Sequence, residues 1–311
     1  LNMSGENREV TFLVSDLRGF TSMTSSLPAD KVIEIMNRYF EHMVDVIARY
    51  HGTVSAFLGD GILVFFGAPL QAEDDPVRAE ACAIDMQHAM DAVNVEQRHL
   101  DLPELQMGIG IDTGKVVVGN IGAERRASYG AVGTPINSAF SIESYTVGGQ
   151  ILISPTTYEL VASLVSTKGT MAVKFKGLSE EISLYDINGI GGSYNVRLAE
   201  QKKQPLRTLP SPLAIDCFVV EGKTVSDDAM RGHITAMSET AAAVVVDGSV
   251  DELTNLRILL ATPEAAGLPE FYAKVMKRES AAANASENEI RLEMTSVPKE
   301  IGRFLAEYTK G

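Results

Sequence analysis

Residues 54–67, VSAFLGDGILVFFG, contain two apolar runs joined by Gly59-Asp60-Gly61. Asp-Gly between apolar runs is a strong signal for a β-hairpin, because glycine tolerates the positive φ that a tight turn requires. We therefore predict a hairpin of two buried strands. The carboxylate of Asp60 should lie at its tip.

A second aspartate lies in a similar setting upstream. In TFLVSDLRGFTS, residues 11–22, Asp16 ends an apolar strand and Gly19 follows shortly after. Such a strand end can direct a carboxylate into a cleft and leave backbone N–H groups free for phosphate. Taken singly, Asp60 is typical of an ordinary turn and Asp16 of a helix cap or loop. On adjacent central strands of one sheet, the two together favour a pair of divalent metal ions.

The surrounding sequence predicts one α+β module over residues 8–188. The predicted elements are a strand at 10–14, a helix from Pro28 to about Ile47, the hairpin above, a helix from Asp75 to about Leu100, a second hairpin at 105–122 turning at Asp112 to Gly114, a strand at 150–154, a helix from Pro155 to about Val165, and further strands to about residue 188. The order β-α-β-β-α-β predicts a ferredoxin-like (palm-type) core with additions.

The rest of the chain predicts a second, smaller domain. Residues 189–200 are rich in glycine at their start and are predicted to be a linker. Residues 201–311 contain short apolar runs, one further strand and a closing helix. This pattern is typical of a small β-barrel or sandwich.

Charge and composition narrow the possible partners. Of the formal net charge of −14, residues 1–192 carry −11, from 13 Lys and Arg against 24 Asp and Glu. An acidic domain without a basic stripe is not expected to bind nucleic acid. No apolar run approaches the length of a membrane helix and LNMSGENREV has no signal-peptide core, so we expect a cytoplasmic protein. Cys82 and Cys217 have no disulfide or metal spacing.

Four separated blocks carry a family resemblance: VSDLRGFTSMT, FLGDGILVFFGAP, MGIGIDTGKVVVGNIG and VGTPIN…GGQILIS. In this order they resemble the catalytic domain of class III adenylate and guanylate cyclases, over about residues 8–188. The resemblance implies conversion of ATP or GTP to a 3′,5′-cyclic nucleotide and pyrophosphate. It also implies a site at a dimer interface with two divalent cations, Mg²⁺ or Mn²⁺.

The same resemblance assigns roles to particular residues. It implies that Asp16, Asp60 and the backbone of Leu17 bind the metal ions. Asn137 matches a residue that orients the ribose, and Lys176 matches a triphosphate-binding lysine. The remaining implied nucleotide contacts come from the loop after the first strand and from the positions of the purine readers: Gly19, Phe20, Thr21, Ala56, Gly59 and Gly130.

Three positions depart from the family pattern. Ala56 and Gly130 replace the two purine-reading side chains, and Ser141 replaces an arginine that stabilises the transition state. Loss of such a donor is expected to cost about 100-fold or more in rate. Arg125 and Arg126 lie in a nearby loop and could substitute, although an arginine pair in a loop is more often a solvated surface.

These departures leave two functional readings open. A homodimer would contain two sites that lack the same three groups, whereas a heterodimer with a complementary chain would contain one complete site.

The first reading is a cyclase, with ATP the more expected substrate, that is weak alone or dependent on a partner. The alternative is a non-catalytic homologue that binds nucleotide or protein partners as a signalling scaffold.

The second domain resembles, more weakly, a PilZ domain, a small barrel that in many proteins binds cyclic di-GMP. The family's Arg-x-x-x-Arg pair becomes Lys203 to Arg207, and its Asp/Asn-x-Ser-x-x-Gly turn becomes Ala236 to Ala241 around Ser238. Lys203 keeps a charge but lacks the planar fork of arginine, so strong cyclic di-GMP binding is not expected. The alternative is a ligand-free barrel that serves in docking or dimerisation.

Overall fold

The computed structural model describes residues 5–20, 23–24, 27–123, 126–175, 180–200, 204–221, 224–279 and 288–309. The chain divides into two compact units. The first comprises Leu1–Arg18 and Ala29–Glu200, and the second Gly19–Pro28 and Gln201–Gly311.

The first unit is an α+β domain built on one sheet. In chain order its elements are β1 (Glu6–Arg18), α1 (Ala29–Arg49), β2 (Thr53–Leu58), β3 (Gly61–Phe66), α2 (Asp75–His99), β4 (Gln106–Ala123), β5 (Arg126–Val132), α3 (Thr134–Tyr145), β6 (Ile151–Ile153), α4 (Pro155–Val161), β7 (Val165–Val173), β8 (Ile182–Ile190) and β9 (Val196–Arg197). The strand order is β2-β3-β1-β4-β6-β8-β7, with β5 added beside β4 and β9 beside β8.

β1 lies at the centre of this sheet. It pairs antiparallel with β3 on one side, and with β4 on the other along its whole length. Its residues 10–15 are buried without interruption, as is all of β3. A strand covered on both faces must be apolar throughout, which explains why the run around Val10 to Val14 lacks alternation. The predicted palm-type α+β fold and the hairpin β2–β3 are confirmed.

The two long helices form where the sequence predicted them. In α1 the buried residues recur at helical spacing: Val32, Ile35, Tyr39, Met43, Val46 and Ile47. This helix packs on α2, which packs in turn on β1 and β4. α2 begins at Asp75 with Pro76 in its first turn, where the missing N–H of proline costs no hydrogen bond.

The second predicted hairpin, at residues 105–122, is wrong. β4 runs without a turn through Asp112, Thr113 and Gly114, which pair with Phe12, Thr11 and Val10 of β1. The polar side chains are satisfied inside the sheet, since Thr113 Oγ1 lies 2.9 Å from Thr11 Oγ1. Gly114 serves close packing rather than a turn, because a Cβ there would lie 2.6 Å from Pro135 Cγ.

The second unit contains a closed six-stranded barrel in the order β10-β11-β12-β15-β14-β13. Its elements are β10 (Arg207–Glu221), β11 (Thr224–Met237), β12 (Ala241–Val246), β13 (Asn255–Leu260), a 3₁₀ turn (Pro263–Ala265), β14 (Phe271–Glu279), β15 (Asn288–Ser296) and α5 (Lys299–Tyr308). Ile301 and Leu305 of α5 pack in the barrel core. A smaller barrel domain was predicted, and the closed barrel confirms it.

Three further features bear on the sequence expectations. The predicted linker 189–200 contains β9, whose Val196 and Arg197 pair with β8, so the sheet continues past residue 188. Cys82 and Cys217 are buried free thiols. Within the described ranges, no helix has both the length and the apolar character needed to cross a membrane.

Glu80 is an unusual feature of the first core. It lies in α2 with no exposed surface, and neither carboxylate oxygen has a hydrogen-bond partner among the described residues. Burial raises the pKa of this carboxyl well above its ordinary value. An ionised carboxylate without a partner is very costly inside a protein, so the folded chain holds Glu80 in its neutral form.

We expect Glu80→Gln to stabilise the first unit increasingly as the pH rises. Wild-type stability falls above about pH 4.5, because the unfolded chain then releases the Glu80 proton and the folded chain keeps it. Glutamine does not titrate, so the melting temperature of the variant should match wild type near pH 4.5 and exceed it by a few degrees at pH 8. The exposed Glu41→Gln is the control. An equal shift at every pH would contradict this account.

Candidate active site

The two aspartates lie side by side at one end of the central strands. Asp16 is near the end of β1, and Asp60 occupies the turn between β2 and β3. Ser15 pairs with Ile62, which brings this turn beside Asp16. A Cβ on Gly61 would lie only 3.3 Å from Asp16 Oδ1, so glycine at this position allows the close approach.

The two carboxyls influence each other strongly. Burial, followed by the neighbouring Asp60 charge, raises the pKa of Asp16 to about 7. Burial also raises the pKa of Asp60, against hydrogen bonds from backbone N–H groups, including that of Leu17. The positive charge of Arg18 lowers the pKa of both. Two partly buried carboxylates thus share a site in which their negative charges are incompletely balanced.

This arrangement fits a divalent cation. Hard cations prefer carboxylate oxygens, and a positive charge between Asp16 and Asp60 would relieve their repulsion. The described part of the chain contains no cluster of three or more His, Cys, Asp or Glu side chains arranged to hold a metal ion. Further ligands would therefore be backbone oxygens such as that of Leu17, water or substrate phosphates. When bound, such cations lower the pKa of an attacking hydroxyl and neutralise charge on a reacting phosphate.

The segment after β1 carries the predicted phosphate contacts. Gly19 has a left-handed φ of 70°, which favours glycine and ends the strand. The N–H of Met23 donates to the Gly19 carbonyl oxygen at 3.1 Å. Thr21 lies outside the described residues.

The predicted purine-reading positions contain no polar side chain. Ala56 lies in β2, half-buried against the core beside β1. Gly130 pairs with Gly119, and a Cβ on it would lie 3.2 Å from Cδ1 of Ile121, the flexible end of a side chain. Gly59 has a φ of 69° in the turn before Asp60. A larger residue at position 130 would therefore require the Ile121 side chain to shift.

α3 carries the two candidate residues for the ribose and the transition state. Asn137 is exposed, and Ser141 lies one turn further along the helix. The Ser141 hydroxyl donates to the backbone carbonyl oxygen of Asn137 at 3.1 Å. This short side chain is thus bonded to its own helix, where the family pattern has a long cation.

Several predicted residues cannot be placed. Lys176, Arg125 and Lys203 lie outside the described residues. Arg126 begins β5, and only its backbone is described.

The structure reveals one interaction that the sequence analysis missed. Arg18 forms an ion pair with Glu143 of α3, and the two side chains are only 12% and 9% exposed. The spacing of Arg18 two residues after Asp16 could have shown that both lie on one face of β1. Nothing in the sequence pattern connects Glu143 to them, because the contact depends on how α3 packs on the sheet.

In the barrel, the two segments of the weaker resemblance lie together. Arg207 is exposed and pairs with Met237 at the end of β11. Gln204 Nε2 donates to Glu239 Oε2 at 3.1 Å. The hydroxyl oxygen of Ser238 accepts from the Ala241 N–H at 3.1 Å, which stabilises the turn between β11 and β12.

The palm-type sheet with adjacent aspartates at Asp16 and Asp60 defines a nucleotidyl cyclase-like domain. The family of the Adenylate and Guanylate cyclase catalytic domain matches residues 3–197, more than half of the chain. The chain belongs to this family.

Individual relatives agree with this membership. Adenylate cyclase 1 of Rhizobium meliloti is 29% identical over 190 residues, which are 60% of this chain and 29% of that protein. The chain thus spans less than a third of that relative's length. The crystal structure of the guanylyl cyclase Cya2 is 49% identical with a TM-score of 0.62, and covers 63% of this chain and 100% of its own. The crystal structure of the adenylyl cyclase CyaB from P. aeruginosa is 31% identical with a TM-score of 0.56. The match covers 64% of this chain and 98% of that one.

We expect Mn²⁺ to raise the melting temperature of the purified chain, and this increase to disappear in Asp16→Asn and in Asp60→Asn. A ligand that binds only the folded state stabilises it by RT ln(1 + L/Kd), where L is the free ligand concentration, so the increase grows with Mn²⁺ concentration and affinity. Without metal, each variant should melt slightly above wild type, because the repulsion between the carboxylates is removed. Asp91→Asn, an exposed change on α2, is the matched control. An unchanged response to Mn²⁺ in both variants would contradict a cation site here.

Proposed function

We propose that the chain is a class III nucleotidyl cyclase that is weak alone or depends on a partner chain. The adjacent carboxylates of Asp16 and Asp60 carry the proposal, since carboxylates can hold the divalent cations that phosphoryl chemistry uses. The catalytic domain would comprise residues 8–188 and the barrel domain residues 201–311. Its proposed substrates are nucleoside triphosphates, which places the reaction in the cytoplasm.

In the proposed reaction, the ribose 3′-hydroxyl attacks the α-phosphate and pyrophosphate leaves. Asp16, Asp60 and the Leu17 backbone would hold two divalent cations, Mg²⁺ or Mn²⁺. The Gly19 to Thr21 segment and Lys176 would bind the phosphates. Asn137 would orient the ribose, consistent with its exposed position on α3. The similarity to both an adenylate cyclase and a guanylyl cyclase makes ATP and GTP the two candidates, with ATP preferred.

The residues at the purine-reading and transition-state positions support low activity for this chain alone. Ser141 has no charge, and its hydroxyl bonds to the Asn137 backbone. Ala56 and Gly130 cannot hydrogen-bond a base edge through a side chain. The missing arginine alone is expected to cost about 100-fold or more in rate.

An exposed apolar surface supports the proposed dimer. Val117 and Val132 pair across β4 and β5, and Ile121 lies on the same face of this two-stranded extension. These three side chains are 44%, 62% and 45% exposed. Grouped exposed apolar side chains often mark a protein interface. The partner would be a second copy, or a different chain that supplies the purine contacts and the arginine.

The alternative is a non-catalytic cyclase homologue that acts as a nucleotide-binding or protein-interaction scaffold. The identities of Ala56, Gly130 and Ser141 favour it, because all three changes fall on groups that only turnover or base selection needs. The cyclase reading requires the carboxylate pair to bind cations, whereas a scaffold that binds only a protein partner does not. Product formation separates the two.

Product analysis with Mn²⁺ and each triphosphate should show little or no cyclic nucleotide from wild type. We expect Ala56→Lys/Ser141→Arg to gain about 100-fold or more, because the arginine restores a cation at the transition state. Ser144→Arg, an exposed change on the same helix, should give no gain. Rapid turnover by a wild-type homodimer that Asp16→Ala abolishes would contradict the weak site. Arg125 and Arg126 would then be substituted in turn.

We further propose that the barrel is PilZ-like and serves in docking or dimerisation rather than as a strong cyclic di-GMP receptor. The proximity of the segments around Gln204 and Glu239 supports the likeness. Arg207 is the one arginine of the expected pair that is present, and the Ser238 hydroxyl already accepts a bond within its own turn.

Titration calorimetry should therefore detect no tight binding of cyclic di-GMP to wild type. We expect Lys203→Arg/Ala236→Asp to bind measurably, because the second guanidinium fork and a turn carboxylate are restored. Lys223→Arg adds the same fork at another position and should not bind. Tight binding by wild type that is lost in Arg207→Ala would show that the barrel is a receptor.

A further inference from the structure

Arg18 and Glu143 form a nearly buried ion pair beside the two aspartates. Arg18 ends β1 two residues after Asp16, so both side chains project from the same face of the strand. Glu143 lies in α3, the helix that carries Asn137. Because little solvent reaches either side chain, their charges act strongly on neighbouring groups.

The guanidinium of Arg18 passes over a glycine. Gly108 of β4 is paired with Asp16, and a Cβ there would lie 2.9 Å from Arg18 Nη2. The absence of a side chain at Gly108 leaves room for the guanidinium between Asp16 and Glu143. Arg18 Nε and Nη2 and Glu143 Oε1 are buried, and none of them makes a hydrogen bond with acceptable geometry among the described residues, so Nη2 and Oε1 form an ion pair without a directed hydrogen bond. Glu143 therefore does not satisfy the whole guanidinium.

One positive charge is thus shared among three carboxylates. Arg18 attracts Asp16 and Asp60 electrostatically and pairs directly with Glu143. A divalent cation held by the two aspartates would be repelled by Arg18. Glu143 holds the guanidinium through the direct ion pair, which limits how far the guanidinium turns toward the two aspartates. Without Glu143, the guanidinium would be free to approach the aspartates and would oppose the cation more strongly.

We propose that Arg18 is the internal counter-ion of the Asp16–Asp60 pair and that Glu143 is a positioning residue that sets how strongly Arg18 opposes a divalent cation. The inference rests on the proposed cation site, and it identifies Arg18 and Glu143 as the residues that set the affinity of that site. Since Glu143 belongs to α3, a displacement of that helix would change the cation affinity. The ion pair would thereby link the metal-binding and ribose-binding parts of one chain.

The test measures Mn²⁺ binding to the purified full chain from the electron paramagnetic resonance signal of free Mn²⁺. We expect Glu143→Gln to weaken binding about three- to tenfold, because Arg18 is no longer held away from the aspartates. We expect Arg18→Gln/Glu143→Gln to bind more tightly than wild type, because the opposing charge is gone. This double variant removes both members of the ion pair together, so neither Arg18 nor Glu143 is left as a buried charge without the other, as Arg18 would be in Glu143→Gln.

A double-mutant cycle distinguishes this account from a direct attraction between Glu143 and the cation. In an Arg18→Gln background, adding Glu143→Gln should have little effect if Glu143 acts through Arg18. An equally large loss in both backgrounds would overturn the proposal. So would a double variant that binds no more tightly than wild type. Glu34→Gln, which removes a carboxylate from a surface ion pair with Lys31, should leave affinity unchanged.

Asp16→Asn separates failure of this inference from failure of the cation site. If wild type and Asp16→Asn bind Mn²⁺ equally, the proposed cation site is wrong and the counter-ion proposal falls with it. If Asp16→Asn abolishes binding while the Arg18 and Glu143 variants behave like wild type, only the counter-ion proposal is wrong.

Discussion

The pairing of β1 on both edges is the constraint on which the candidate site depends. Its ladders to β3 and β4 fix β1 in the middle of the sheet, and burial of residues 10–15 fixes which face each side chain occupies. A slip of one residue would move Asp16 to the opposite face of the strand. The register between Ser15 and Ile62 also decides where the Asp60 turn lies. The two carboxylates therefore meet because of backbone hydrogen bonds distant from the chemistry.

Local sequence signals predicted much of this framework. The Gly59-Asp60-Gly61 turn, the helical repeat of α1 and the Asp75-Pro76 helix start each depend on neighbouring residues alone, and the structure has each of them. The hairpin predicted at residues 105–122 was wrong because the segment from Asp112 to Gly114 has the composition of a turn. Its glycine instead makes room for Pro135, a residue distant in sequence. Such a contact leaves no periodic signal.

The site residues also divide into those that local sequence signals predict and those that depend on contacts between distant parts of the chain. Asp16 and Asp60 could be chosen from the sequence because strand ends and turns are local features. The ion pair of Arg18 with Glu143 could not, because it forms only after α3 packs on β4 and β1. Resemblance to a family did not supply it either, since that comparison assigned roles only to positions with a known counterpart. Physical contacts in the folded chain were needed to find it.

The carboxylate pair and the purine and transition-state positions contribute differently to the stability of the fold. Asp16 and Asp60 repel each other in a partly buried site that raises both pKa values, so they destabilise the metal-free fold. Stability alone therefore does not account for their presence, and the proposed cation would compensate their charge. Gly130 and Ser141, in contrast, bring no charge into the site. This asymmetry between the carboxylate half of the site and the half with Gly130 and Ser141 is the physical basis of the proposal that a partner chain supplies the missing groups.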